Sequence, residues 1–264
     1  TPLKLTGNLM SVNLTISKEV ATITLNRPQV HNAFDDITII QLIDVITQAC
    51  DENARVLVLK SEGRHFSAGA DLGWMKSMAD NDFDDNFADS QQLSKLMHTL
   101  ANCPMPTICQ IQGAAFGGAL GLIACCDIAY ATPDAKFCLS EVKLGLVPAV
   151  ISPYVIKAIG ERQSRRYFLT AEIFKADKAL ELGLIHEVTQ ELESTVNDSV
   201  NNILNNSPKA VIAAKALIED VANKEITQAL QDLTAERIAS IRVSVEGQEG
   251  LSAFFEKRAP NWQQ

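Results

Sequence analysis

The sequence predicts an α/β fold, and three observations predict it. Two runs near the start alternate apolar and polar residues, the period of half-buried strands. Short apolar runs then alternate with segments of helical spacing, so that strand, turn and helix recur. After about Pro153 the patterning is helical only.

Residues 12–16 and 20–25 flank Ser17-Lys18-Glu19 and read as a hairpin. Asn26-Arg27-Pro28 ends the second strand, because proline brings no N–H to a ladder. The spacing of Ile39, Leu42, Ile43 and Ile46 predicts a helix over 35–50. Residues 56–59 form a short buried strand inside the β-like run 55–60. The turn FSAGAD, 66–71, follows, and Asp71 can cap a helix running into Leu72, Trp74 and Met75. The acidic run 80–85 is a solvated loop or helix start. Phe87, Leu93, Leu96, Met97 and Leu100 put one apolar face on a helix over 83–100. Residues 107–111 are a further strand, leading into Gly117-Gly118 and an apolar helix start over 120–126. Helical patterning then covers 162–171, 176–182, 192–205 and 207 onward, with Ser207-Pro208 as an N-cap and first-turn proline. A last segment, 249–258, ends in FFEKRAP. The chain divides into an α/β core, 1–200, and a helical region, 201–264, with no Gly/Ser linker between them.

Composition narrows the class. A chain of 264 residues, 47% hydrophobic and 21% charged, holds one large globular domain or a core with an appended subdomain. Its net charge of -9 argues against a general nucleic-acid or anionic-membrane partner, while leaving room for a local basic patch. The six cysteines form no CxxC pair and mostly sit in apolar runs, which reads as buried reduced thiols in a cytoplasmic protein. No run is long and apolar enough to span a bilayer, and no basic-then-apolar leader is visible. The opening TPLKL is compatible with a processed end, which leaves a removed targeting peptide open.

Three features carry chemistry. Gly117-Gly118 allows close backbone approach, and a helix start aims free N–H groups at an incoming negative oxygen. The alternative is a tight strand-to-helix turn without a ligand. The run is neither a P-loop nor a GxGxxG site. FSAGAD is a second small-residue turn, although its aspartate is explained by a cap alone. Glu141 stands among Leu139, Val142, Leu144 and Leu146, and a carboxylate in apolar company has a raised pKa and can carry a proton near neutral pH. A strand-edge glutamate facing water is the competing reading. His31, His65, His98 and His186 lack metal-ligand spacing. Lys60, Arg64 and Lys257-Arg258 are candidate phosphate partners or simply solvated charges.

The ordered set NRPQVHNAF, FSAGADL, GAAFGGALGL and CDIAYATPDAKFCLSEVKLGLVP resembles the enoyl-CoA hydratase/isomerase (crotonase) superfamily over nearly the whole chain. The resemblance implies a spiral of β-β-α turns with a C-terminal helical trimerisation region. It implies a homo-oligomer, trimer or hexamer, and an acyl-CoA thioester substrate, with coenzyme A part of that substrate and no separate cofactor or metal. It assigns the two oxyanion-hole amides to Ala70 and Gly118, with Gly117 beside the second, and the α-carbon acid/base to Glu141. It places CoA binding on Ser67, Ala68, Gly69, Ala70, Asp71 and Leu72, and a CoA phosphate contact on Lys257.

Two departures stand out. Two-acid hydratases carry a second glutamate three residues after the oxyanion glycine, where this chain has Gly121. If that position is vacant, a glutamate placed there would stand near the substrate β-carbon. The usual glycine-rich Thr-Gln-Arg segment after Pro148 is replaced by AVISPYV, 149–155. With FSAGADLGWM and GERQSRRYFLTAE, these features most resemble hydratases of branched, carboxylated enoyl-CoAs, such as 3-methylglutaconyl-CoA in leucine breakdown. The resemblance thus implies a hydro-lyase. A Δ3,Δ2-enoyl-CoA isomerase with one carboxylate and a non-catalytic acyl-CoA-binding subunit are the alternatives.

Overall fold

The computed structural model describes residues 10–263, and the opening TPLKL lies outside them. The predicted hairpin is present: β1 (Val12–Ser17) pairs antiparallel with β2 (Val20–Leu25), Ser17 opposite Val20. Lys18 and Glu19 between them both take positive φ, 49° and 65°, the two-residue turn whose twist matches that of the strands. Then come β3 (Val56–Ser61), β4 (Thr107–Ile111), β5 (Ala114–Phe116), β6 (Ile128–Ala131), β7 (Lys136–Cys138), β8 (Phe174–Lys175) and β9 (Glu187–Val188). One sheet runs β1-β2-β3-β4-β6-β9, parallel from β2 onward, and a smaller one runs β5-β7-β8. The strands β8 and β9 correct the expectation of helix only after Pro153. They are two residues each and pair with distant partners, so no local window shows them.

Most of the helices that frame the sheets begin close to where the sequence says. In α1 (Asp36–Asp51) the Asp35 carboxylate accepts the Thr38 N–H at 2.8 Å, and Ile39, Leu42, Ile43 and Ile46 are buried. Asp71 caps α2 (Leu72–Met78) in the same way through Trp74 N–H, 3.0 Å. The acidic run opens α3 (Phe83–Ala101): Asp82 is its cap, and Asp84 and Asp85 lie in the first turn, where the helix dipole favours negative charge. Only Leu96, Met97 and Leu100 of α3 are buried. Phe87, expected on the packed face, is 53% exposed and stacks on Phe83. The apolar run after the glycines is α4 (Gly118–Cys125), almost wholly buried and packed against α3 and α5 (Ser152–Thr170). α5 starts ten residues before the predicted 162 and is kinked at Gly160, whose φ of 80° no helix contains. α6 (Ala176–Leu182) and α7 (Leu192–Leu204) complete the core, Val196 and Val200 of α7 packing on Val56, Val58 and Ile108.

The last three helices differ in kind. α8 (Pro208–Val221) and α9 (Gln228–Arg242) bury no residue of their own, and α10 (Val245–Glu256) buries only Ala253. Ser207 caps α8 at Ala210 N–H with Pro208 in the first turn, as its sequence requires. Lys215 ties α8 to the core through the Asp127 carboxylate, 2.7 Å, and the Met105 carbonyl, 3.0 Å. No helix among the described residues is long and apolar enough to cross a membrane.

Candidate active site

The two small-residue turns, distant in sequence, are packed on each other by backbone hydrogen bonds. Ser67 N–H donates to Ala114 O at 3.1 Å, and Phe116 N–H donates back to Ser67 O at 3.0 Å. Gly69, at φ 92°, lies so close that a Cβ there would stand 2.8 Å from Phe116 O. The first turn is also bound to the loop before α1: Phe34 N–H donates to Gly69 O, 2.7 Å, and Asp71 N–H to Phe34 O, 2.6 Å. These bonds bracket Ala70 and leave its own N–H unengaged among the described residues. Gly118 N–H, at the first position of α4, is likewise unengaged, as the geometry of a helix start dictates. Between β5 and α4, Gly117 takes φ 55° and ψ −125°, a conformation open in practice to glycine alone.

Glu141 follows β7 and opens a short 3-10 helix, Glu141–Leu144. A Cβ on Gly117 would lie 3.3 Å from Glu141 Oε1, so the absence of a side chain at 117 is what admits the carboxylate. Its Oε2 is buried and has no hydrogen-bond partner among the described residues. Burial therefore raises the Glu141 pKa above its ordinary 4.5, opposed by a hydrogen bond to its own backbone. The apolar company is only partly the one the sequence suggests, for Leu139 is buried and Val142 half-buried. Leu144 and Leu146 are 63% and 53% exposed, because the 3-10 turn swings them outward. Glu141 also lines a cavity of about 220 Å³ whose walls come from distant segments.

Ala70, Gly118 and Glu141 all line this cavity, with Phe34, Trp74, Leu93, Pro148 and Ile151 as apolar walls and Ser90 as a lone hydroxyl. It contains one carboxylate and no Lys, Arg or His. The space next to Gly121 is taken. A Cβ there would stand 2.8 Å from Ile151 Cβ and 3.0 Å from Met97 Sδ. The position is therefore not vacant: Ile151, from the divergent segment after Pro148, fills it.

The remaining predicted site residues divide. Ser67 is fully buried, and its Oγ accepts Gly69 N–H at 3.2 Å, which makes its side chain part of the turn rather than of a ligand surface. Ala68 and Gly69 are engaged through the backbone, Ala68 N–H donating to His31 O at 2.9 Å. Asp71 Oδ2 is paired with Arg27 at 3.2 Å, while Leu72 is 79% exposed. Lys257 caps α10 in the left-handed region and is no part of the cavity wall. Its neighbour Arg258, a candidate phosphate partner by sequence, already binds both carboxylate oxygens of Glu249, at 2.7 and 3.0 Å. Phe34, Trp74, Ser90 and Ile151 escape sequence reasoning as site residues. Trp74 leaves a signal three residues after a capping aspartate, and Ile151 lies in the divergent segment 149–155.

Turns of this kind, each with an unengaged N–H beside one buried acid, are what a reaction through a thioester enolate requires. The sequence matches the enoyl-CoA hydratase/isomerase family model over residues 15–264. The chain belongs to this family. A crystal structure of an enoyl-CoA hydratase from Shewanella pealeana superposes with a TM-score of 0.93 at 51% identity, covering 96% of each chain. The short-chain-enoyl-CoA hydratase of Clostridium acetobutylicum is 30% identical over 93% of this chain and 95% of its own. The trans-2-decenoyl-[acyl-carrier-protein] isomerase of Streptococcus mutans is 28% identical over 94% and 95%. The family is one of hydro-lyases and isomerases, and the α/β architecture is its crotonase fold.

Proposed function

We propose that this chain is an enoyl-CoA hydratase that works with one carboxylate. Glu141, whose Oε2 is buried without a hydrogen-bond partner and which lines one cavity with Ala70 and Gly118, is the observation that carries the reading. Adding water across an α,β-unsaturated thioester builds negative charge on the thioester oxygen. The Ala70 and Gly118 amides receive it, each such donor contributing about 3 kcal/mol in comparable sites. Ionised Glu141 takes a proton from water as the water oxygen bonds to the β-carbon, then gives that proton to the α-carbon as the enolate collapses. No metal or further cofactor enters this scheme; coenzyme A arrives as part of the substrate.

The substrate we propose is a branched, carboxylated enoyl-CoA such as 3-methylglutaconyl-CoA. Its support is the resemblance of the segments around Trp74, Ile151 and Arg162 to such hydratases, together with the closure of the second-acid position by Ile151. With no protein acid at 121, the substrate's own carboxylate accepts a hydrogen bond from the attacking water and fixes it over the β-carbon. The cavity wall offers that carboxylate a hydroxyl, Ser90, rather than a cation.

A second reading has its own observation. One carboxylate in an uncharged cavity also suits a Δ3,Δ2-enoyl-CoA isomerase, which shuttles a proton between carbons and holds no water. Assaying the pure protein with 3-methylglutaconyl-CoA, crotonyl-CoA and a 3-enoyl-CoA separates them. Hydration, fastest with the first, supports the proposal. Double-bond migration in the third without hydration of the others supports the isomerase, and silence with all three leaves a non-catalytic acyl-CoA-binding subunit.

A further inference from the structure

We infer that Arg27 is a positioning residue for the Ala70 half of the oxyanion hole, an inference that rests on the proposed oxyanion roles. Arg27 lies outside the cavity, yet its guanidinium joins the two segments that aim Ala70. Nη1 donates to Ala33 O at 2.7 Å and pairs with Asp35 Oδ2 at 3.1 Å, and Nη2 pairs with Asp71 Oδ2 at 3.2 Å. All three charged side chains are largely withdrawn from solvent, 17–20% exposed. Each carboxylate uses its other oxygen as a helix cap: Asp35 Oδ1 accepts Thr38 N–H at the start of α1, and Asp71 Oδ1 accepts Trp74 N–H at the start of α2.

Between these two caps runs the short parallel bridge of Phe34 with Ala70. One planar cation therefore holds both helix starts, and the Phe34 backbone holds Gly69 and Asp71 on either side of the Ala70 amide. Rotation of the 69–71 segment would swing that amide away from the cavity; the Phe34 backbone opposes it directly, and Arg27 anchors Ala33 and Asp35 beside Phe34 and Asp71 beside Ala70. A lysine in its place has one point charge and no fork, so it cannot serve two carboxylates and a carbonyl in this geometry. The negative charge gathered by Asp35 and Asp71 beside an oxyanion site also needs this cation. Without it, two carboxylates would face the developing negative charge unbalanced.

The test reads the polarisation of the thioester carbonyl directly. 2,4-Hexadienoyl-CoA is conjugated with its carbonyl, so donors at the oxygen shift its absorption to the red when it binds. The wild type is expected to give this shift. Arg27→Met and Arg27→Lys are expected to lose half of it or more and to lower kcat about tenfold or more, a part of what a whole oxyanion donor provides, with KM changed less. Asp71→Asn keeps the Oδ1 cap while removing the partner of Nη2. It reports the same link if an Arg27 variant does not fold. Ile46→Val, a core change in α1 away from the turn, controls for general destabilisation and is expected to keep the full shift. An unchanged shift and kcat in folded Arg27→Met and Asp71→Asn would overturn the positioning role. Absence of any shift in the wild type would instead overturn the oxyanion reading, and this inference with it.

Discussion

At the residue scale the site is a compromise between folding and chemistry, and Glu141 shows it. A folded-state pKa above the ordinary 4.5 means that burial favours the protonated form. The stability this group contributes is full at pH values below 4.5 and is lost as pH rises through the raised folded value. Glu141→Gln, neutral at every pH, is therefore expected to raise the melting temperature at pH 8, with a gain that shrinks toward pH 4. Thermal melts of both proteins across that range check the sign; a lower melting temperature at pH 8 contradicts it. The neighbouring glycines separate by the same kind of argument. Gly117 holds a backbone conformation costing a non-glycine residue about 1–3 kcal/mol, and its Cβ would crowd Glu141. At Gly118 a Cβ meets only the Phe34 ring at 3.5 Å, an ordinary contact. Gly117→Ala should lose several degrees of melting temperature and Gly118→Ala little, which differential scanning calorimetry resolves.

At the scale of elements, what was legible is what local chemistry decides. The hairpin, the helix after Asp35, the strand at 56 and the helix after the paired glycines follow from period, caps and turn residues. The carboxylate is legible as an acid in apolar surroundings, and of the leucines near it in sequence Leu139 is buried. Leu144 and Leu146 face outward, and the cavity that Glu141 lines has walls that sequence distance hides. Strands β5, β7, β8 and β9 are two or three residues long, and their partners lie far away in the chain. The same holds for Gly121 and Ile151, which are interpretable only together. Gly121→Ala should overpack this contact and destabilise by about 1–3 kcal/mol, because Ile151 and Met97 already occupy the space. Ile151→Ala should open a cavity and cost about 2–5 kcal/mol. The double variant should cost clearly less than the sum, since the added methyl enters the emptied space. Chemical denaturation of the four proteins measures that coupling; strict additivity would mean that the two residues do not share the site.

At the scale of the whole molecule, the core is complete by the end of α7, whereas α8 and α9 bury nothing within the chain. Ile226, Val243, Val245, Phe254 and Phe255 are each more than 70% exposed in this region. Apolar surface of that extent calls for cover, and we propose that further copies of the chain supply it, as trimers or hexamers. Light scattering at micromolar concentration should report a mass of three or six chains, and a monomer would contradict the assignment. The central claim, however, concerns a proton. Among the described residues Glu141 is the one carboxylate that lines the cavity beside the two packed turns, and we propose that it moves hydrogen at the substrate α-carbon. Turnover of the preferred enoyl-CoA in D2O, followed by mass spectrometry of the product, measures that transfer. The account predicts one deuterium fixed at the α-carbon by the wild type, and incorporation slowed by a factor of about 100 or more in Glu141→Gln. Incorporation by the variant at the wild-type rate would contradict it.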